Sequence, residues 1–140
     1  MNIEIIKSES CAFASALTQE NMKTYYETRN IRWNPEQYNK NWEDFENFDI
    51  YLESKIVGVL RFSYGNSNCY IRDLQIESRE QGRGIGKYCV NYAIRFAQNR
   101  GNNFIKLRVF SENPAVRLYS LHGFKKMSEY KGLIEMSLSI

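Results

Sequence analysis

The sequence predicts an α/β (α+β) chain, a mixed and mostly antiparallel sheet flanked by helices, folded as one domain over residues 1–140. Three observations lead there. Strand-length apolar runs at residues 49–53, 56–64 and 68–76 follow one another across short turn signals, as in an antiparallel meander. Helical periodicity takes over at residues 84–99, and a strand-length run returns at 103–110. The passage from strand to helix runs through Gln81-Gly82-Arg83-Gly84-Ile85-Gly86-Lys87, whose alternating glycines suit the interior of neither element.

Taken in order, Ile3 to Ile6 opens as a short strand, and Phe13, Ala14, Leu17, Met22 and Tyr25 suit one helix or a broken pair between Cys11 and Thr28. Asn34-Pro35-Glu36-Gln37 is a helix start: a capping Asn, Pro at the first helical position, and Gln three residues after the cap. Tyr38, Trp42 and Phe45 then fall at i, i+4 and i+7 and give that helix one aromatic face. A hairpin is expected around Ser54-Lys55, and Gly65-Asn66-Ser67 marks the next turn. The helix from Gly84 carries a stripe of Ile85, Cys89, Tyr92, Ala93 and Phe96, and Arg100-Gly101 closes it with a cation and a C′ glycine. A short helix over 113–122 stops at Gly123, and residues 124–128 and 133–139 supply the last strands.

A chain of 140 residues buries about two-thirds of the surface its unfolded form exposes, enough for one core. The net charge of +3 is too small and too dispersed to argue for nucleic acid. Cys11, Cys69 and Cys89 have no paired spacing and read as reduced thiols; no metal is expected. With no signal-peptide pattern and no membrane-length apolar run, the expectation is a cytoplasmic protein without a membrane partner.

The glycine run demands a ligand. A helix N-terminus combines partial positive charge with unpaired N–H groups, so it is an anion site, and phosphate is the usual occupant. Arg83 and Lys87 add cations at the same turn. The dinucleotide fingerprint needs G-x-G-x-x-G, and here the third glycine arrives one residue early. A Walker loop needs four residues between its glycines and a Ser or Thr after the lysine, where this chain has three residues and Tyr88.

Gln81-x-x-Gly84-x-Gly86 instead resembles the coenzyme A pyrophosphate loop of the GCN5-related N-acetyltransferase family. Upstream, Leu74-Gln75-Ile76 resembles the family's Leu-x-Val strand. Downstream, Asn113 followed by Leu118-Tyr119-x-x-x-Gly123-Phe124 resembles its second signature. The resemblance covers residues 56–127 and implies an acetyl-CoA-dependent N-acetyltransferase, with acetyl-CoA as co-substrate and a small-molecule or peptide amine as acceptor. It further implies that Gln81, Gly82, Arg83, Gly84, Ile85, Gly86 and Lys87 cradle the pyrophosphate. Leu74, Gln75 and Ile76 would pair with the pantetheine arm through their backbone, with side chains in the core, and Asn113 would cap its helix and touch the cofactor. Many relatives form dimers, which the end strands could support.

The implied reaction is direct attack of an amine on a thioester, which positioning can accelerate without a covalent intermediate. Tyr119 is the candidate general acid: a phenol titrating near 10 keeps its proton at neutral pH and can donate as a thiolate leaves. Several family members carry a glutamate where this chain has Tyr70, so the base is open among Asp73, Tyr70, Glu135 and an ordered water. A free alkylamine is about 0.04% neutral at pH 7, equivalent to about 4.6 kcal/mol, which solvent can supply. His122, the only histidine, reads as structural at a helix end. Tyr25, Tyr26, Trp33, Tyr38 and Trp42, with Glu20, Glu27, Glu36 and Glu43 nearby, suit either an ammonium-binding region or the buried faces of amphipathic helices. A catalytically silent acyl-CoA-binding module is the alternative function.

Overall fold

The computed structural model describes residues 1–140. Its elements are β1 (Ile3–Lys7), α1 (Ala12–Thr28), α2 (Pro35–Asp44), β2 (Glu46–Leu52), β3 (Lys55–Gly65), β4 (Asn68–Ile76), a 3₁₀ turn (Ser78–Glu80), α3 (Ile85–Asn99), β5 (Phe104–Phe110), α4 (Ala115–Leu121), β6 (Lys125–Tyr130) and β7 (Leu133–Ser139). The strands form one seven-stranded sheet in the order β1-β2-β3-β4-β5-β7-β6. The parallel β4–β5 pairing makes the sheet mixed, as the sequence predicts. The chain divides into two compact units, residues 1–61 with 73–85, and residues 62–72 with 86–140.

In the first unit, β1 pairs antiparallel with β2 from Ile3↔Leu52 to Lys7↔Phe48. Asn34 caps α2 as expected, its Oδ1 accepting from Gln37 N at 3.1 Å with Pro35 at the first position. The Gln37 side chain, however, turns forward to Asn41 Oδ1 rather than back to the cap. Phe45 lies outside the helix, in extended conformation at its C-cap. Tyr38 is buried with Ala14 and Val59, and Phe13, Trp33 and Trp42 pack against them. The β2–β3 turn sits one residue earlier than expected, with Glu53 and Ser54 both at positive φ, 49° and 69°. Likewise Asn66 and Ser67 carry the next turn, while Gly65 belongs to β3.

In the second unit, β4 runs parallel to β5 from Asn68↔Phe104 to Ile71↔Leu107. Strand β5 pairs antiparallel with β7 over its whole length, from Phe104↔Ser139 to Phe110↔Leu133. The two-residue alternation sends Cys69, Ile71, Ile105, Leu107, Val109, Ile134 and Met136 to a buried face. Buried too are Cys89, Val90, Ala93 and Ala97 of α3, and Phe96 stacks on Phe62 at 4.9 Å between centroids. Helix α3 ends in the expected glycine cap: Gly101 (φ 80°) donates to Gln98 O and Asn102 to Ala97 O.

Burial pushes the Cys89 thiol up to about 12 from its ordinary 9.0. A thiol that holds its proton more tightly when folded contributes stability fully below its ordinary value, and that stability is lost as pH rises toward 12. A thiol reagent applied to native protein at about pH 8 is therefore expected to label half-buried Cys11 first and Cys89 only on unfolding. Equal labelling rates for the two would contradict this packing.

Candidate active site

The glycine loop follows the end of β4 through the 3₁₀ turn, and two of its three glycines explain themselves by conformation. Gly82 (φ 79°) and Gly84 (φ 89°) take left-handed backbone, and a Cβ at either would meet nothing within 4 Å. The demand at these two positions is backbone direction, not space. Gly86 falls in the first turn of α3, where no positive φ is required of it. The N–H groups of Gly84, Ile85, Gly86 and Lys87 open α3 and have no acceptor within their own helix. The Ile85 side chain is buried, so only its backbone faces the loop's chemistry. Arg83 is engaged by an acid of the 3₁₀ turn: its Nη1 meets Glu80 Oε2 at 2.8 Å. That exposed pair is worth about 0–1 kcal/mol and yields readily to a stronger anion.

The last residues of β4 lie past the register that β4 shares with β5, which runs to Ile71↔Leu107. Glu77 N donates to Val57 O, and the Gln75 carbonyl would clash with a Cβ on Gly58, so both face β3. By strand alternation the backbone groups of Leu74 and Ile76 point the other way. Asn21 Nδ2 (3.0 Å) and Gln81 Nε2 (2.9 Å) both donate to Ile76 O and fix the strand's exit into the loop. The side chains of Leu74, Gln75 and Ile76 are half-buried rather than core, which corrects the sequence expectation. Gln75 also accepts from Asn21 and donates to Asp73, which spends its side chain within this segment.

Asp73 belongs to an ion pair that sequence reasoning missed. Arg61, 2% exposed, donates from Nη1 to Asp73 Oδ2 at 2.8 Å and from Nε to Asn47 Oδ1 at 2.9 Å. Its guanidinium carbon lies 4.2 Å from the Tyr38 ring centroid and 5.0 Å from that of Phe45. The signal was present as a lone charge inside the apolar run Ile56–Phe62. Burial, then the Asp73 charge, raise Tyr38 to about 12, so its phenol stays protonated beside Thr18 Oγ1. Most of the aromatic region flagged in the sequence therefore serves this core; Trp33 stacks obliquely on Tyr38 at 5.2 Å.

The other two base candidates share a concavity of about 310 Å³ on the second unit's polar sheet face. Tyr70, Arg72, Lys106, Arg108 and Glu135 line it, at the end of the β4–β5 register. Arg72 donates to Ser63 Oγ at 2.6 Å and lies 4.9 Å from the Tyr70 ring centroid. Arg108 Nε stands 3.9 Å from Glu135 Oε2.

Helix α4 shows why the second signature has its spacing. Pro114 already has helical dihedrals (φ −56°, ψ −22°), so the chain enters the turn at Asn113, whose Oδ1 accepts from Ala115 N at 2.9 Å. At the other end Gly123 (φ 93°) donates to Ser120 O and Phe124 to Tyr119 O, the paired bonds of a left-handed glycine cap. The cap's apolar contact is the edge-on packing of Tyr119 against Phe124, 5.6 Å between centroids. Tyr119, Gly123 and Phe124 are thus one capping unit. His122 Nδ1 lies 2.8 Å from Leu118 O at the same terminus, consistent with a structural role.

Residues 14–124 match the sequence model of the acetyltransferase (GNAT) family. The chain belongs to that family. Among solved structures, the PaiA N-acetyltransferase of Thermoplasma acidophilum in complex with coenzyme A superposes with TM-score 0.82 and 19% identity, covering 100% of both chains. The ribosomal-protein-S18-alanine N-acetyltransferase of Escherichia coli superposes at 0.77 with 20% identity, over 99% of this chain and 94% of that one. These likenesses establish the GNAT fold. By sequence, the putative phosphinothricin acetyltransferase YwnH of Bacillus subtilis is 31% identical over 64 residues, 45% of this chain and 39% of that protein. The chain spans between 30% and 40% of the length of the curated relatives it matches. No group of His, Cys, Asp and Glu side chains is arranged to hold a metal, and no helix is long and apolar enough to cross a membrane.

Proposed function

We propose that the chain is an acetyl-CoA-dependent N-acetyltransferase acting as a single domain on a primary amine. The observation that carries this reading is the loop conformation: two left-handed glycines, Gly82 and Gly84, lead into the exposed N–H groups that start α3, one 3₁₀ turn after β4. This segment lies within the family match over residues 14–124, and coenzyme A is the ligand of the PaiA structure.

Acetyl-CoA, when bound, supplies the activated acetyl group. The chain's own residues supply the rest. N–H groups from Gly82 to Lys87 hold the pyrophosphate, with Lys87 and a released Arg83 adding charge. Leu74 and the Ile76 N–H offer outward backbone groups to the pantetheine amides, as a sheet edge receives an added strand, and one such N–H polarises the thioester oxygen. Tyr119 holds a proton for the departing sulfur, and Asn113 fixes the turn that presents α4. Tyr70 or Glu135, or a water they hold, takes the amine's proton; Asp73 is occupied by Arg61.

Thermal unfolding in parallel with acetyl-CoA, coenzyme A, ATP and NADH tests this. At a hundred times its dissociation constant a ligand stabilises by about 2.7 kcal/mol, several degrees for a chain of this size. A rise with acetyl-CoA or coenzyme A is the expected result. A rise with ATP or NADH alone would sink the reading. The second reading, an acyl-CoA-binding module without turnover, draws on Tyr70 standing where several family members have a glutamate, and it predicts the same thermal shift without acetyl transfer.

A further inference from the structure

We propose that Asn21 is a positioning residue that sets the register in which acetyl-CoA lies along β4; this rests on the acetyltransferase reading above. Every residue involved belongs to the first unit. Asn21 sits in the middle of α1, where Asn is a poor helix former because its side chain competes for the backbone. Here that side chain is spent outside the helix. Its Nδ2 donates to Ile76 O at 3.0 Å and to Gln75 Oε1 at 3.2 Å, which uses both amide hydrogens. One amide thus holds the backbone of a β4 residue and the side chain of the residue before it. Gln75 is fixed from its other side as well: its Nε2 donates to Asp73 Oδ1 at 3.4 Å, and Asp73 is held by buried Arg61. Buried Ala14, Leu17 and Thr18 anchor α1, so the end of β4 is tied to a packed helix and to a buried ion pair together.

The grip falls where an added strand would end. Gln75 O and Glu77 N face β3, so the backbone groups of Leu74 and Ile76 face the opposite way. Ile76 O receives Gln81 Nε2 at 2.9 Å as well as Asn21, and two donors fill the two lone pairs of a carbonyl. That acceptor is closed to the cofactor. The outward side then presents the Leu74 N–H and C=O and the Ile76 N–H, a short set with a fixed end. A chain of amides laid on a strand edge can slip by two residues, roughly 7 Å, wherever the next matching group is on offer. Closing Ile76 O removes that next register, and the thioester comes to rest at one height beside the N–H groups that would polarise it. Acyl transfer is intolerant of a misplacement of even about 1 Å. Gln81 alone would leave one lone pair of Ile76 O open and the strand end untethered from α1.

The test is calorimetric titration of the parent chain, Asn21→Ala and Asn21→Asp with two ligands. One is acetyl-CoA. The other is 3′-phospho-ADP, the nucleotide half of coenzyme A, which carries the pyrophosphate without the pantetheine arm. Alanine is the better helix former, so α1 should survive the first substitution, and a cooperative thermal transition checks this. Asn21→Ala is expected to weaken acetyl-CoA about tenfold and to leave 3′-phospho-ADP within about twofold of the parent. Asn21→Asp keeps the shape but sets a carboxylate against Ile76 O and Gln75 Oε1. Gln75 cannot answer by flipping its amide without turning its oxygen on Asp73, so this variant should lose more acetyl-CoA affinity than Asn21→Ala. A merely structural role would weaken both ligands alike. The inference is overturned if the two ligands weaken by the same factor, if Asn21→Ala binds acetyl-CoA as the parent does, if Asn21→Asp binds it at least as tightly as Asn21→Ala, or if neither variant unfolds cooperatively. A parent chain that binds no acetyl-CoA would instead remove the acetyltransferase reading, and this inference with it.

Discussion

Replacing Tyr119 by Phe is expected to lower kcat by about 10²–10⁴-fold, the usual weight of a positioned proton donor, and to leave coenzyme A affinity unchanged. Phenylalanine preserves the edge-on contact with Phe124 and every backbone bond of the glycine cap at Gly123, because none of these uses the hydroxyl. The cap and its apolar contact should therefore survive the substitution. This separates chemistry from packing: Tyr119 is 6% exposed and forms part of a capping unit, so its place in the signature could be structural alone. If Tyr119→Phe turns over normally, the general-acid role falls and the signature records the cap. If neither protein transfers acetyl groups yet both bind acetyl-CoA, the silent module stands.

Arg61→Met should be the most destabilising single change, by about 3 kcal/mol, because removing one partner of a buried pair leaves the other charge without its counter-ion. The loss would appear as a fall in melting temperature on the order of 10 °C. Met fills much of the arginine stem's volume between Tyr38 and Phe45, so cavity formation contributes little. What remains is Asp73, only 18% exposed, and Asn47 Oδ1 without its donor. Adding Asp73→Asn should recover part of the loss, since it removes the stranded charge. A single variant within about 1 kcal/mol of the parent would mean that desolvation of the pair already cancels its attraction. Because Asp73 directly precedes Leu74, the single variant is also expected to weaken acetyl-CoA binding, read as a smaller ligand-induced shift.

These two experiments touch residues of opposite legibility. Tyr119 could be found in the sequence because it belongs to a local motif: Asn113 to Phe124 encodes a cap, a short helix and a glycine stop within twelve residues. The same holds for the Asn34-Pro35 start of α2, the Gly101 stop of α3, the β4 boundaries and the loop from Gln81 to Lys87. In each, the information lies within a few residues, and backbone sterics and end-group hydrogen bonding act over that range. Where local signals were ambiguous the reading slipped by a residue. The β2–β3 turn takes positive φ at Glu53 and Ser54 without glycine, one residue before the expected Ser54-Lys55, whereas the next turn falls at Asn66-Ser67, within the expected Gly65-Asn66-Ser67.

The sequence by itself determined the family, the order of the elements, several of their caps and the glycine-rich start of α3. Only the tertiary structure decided which charges are partners. Arg61 and Asp73 are 12 residues apart, Arg108 and Glu135 farther, and no periodicity relates either pair. Strand pairing alone brings them together. The same pairing gathers Tyr70, Lys106 and Glu135 from three strands onto one face, and withdraws Asp73 from the candidate bases by giving it to a buried arginine. Electrostatic roles depend on distance and desolvation in the folded chain, and these are set by long-range register rather than by local sequence.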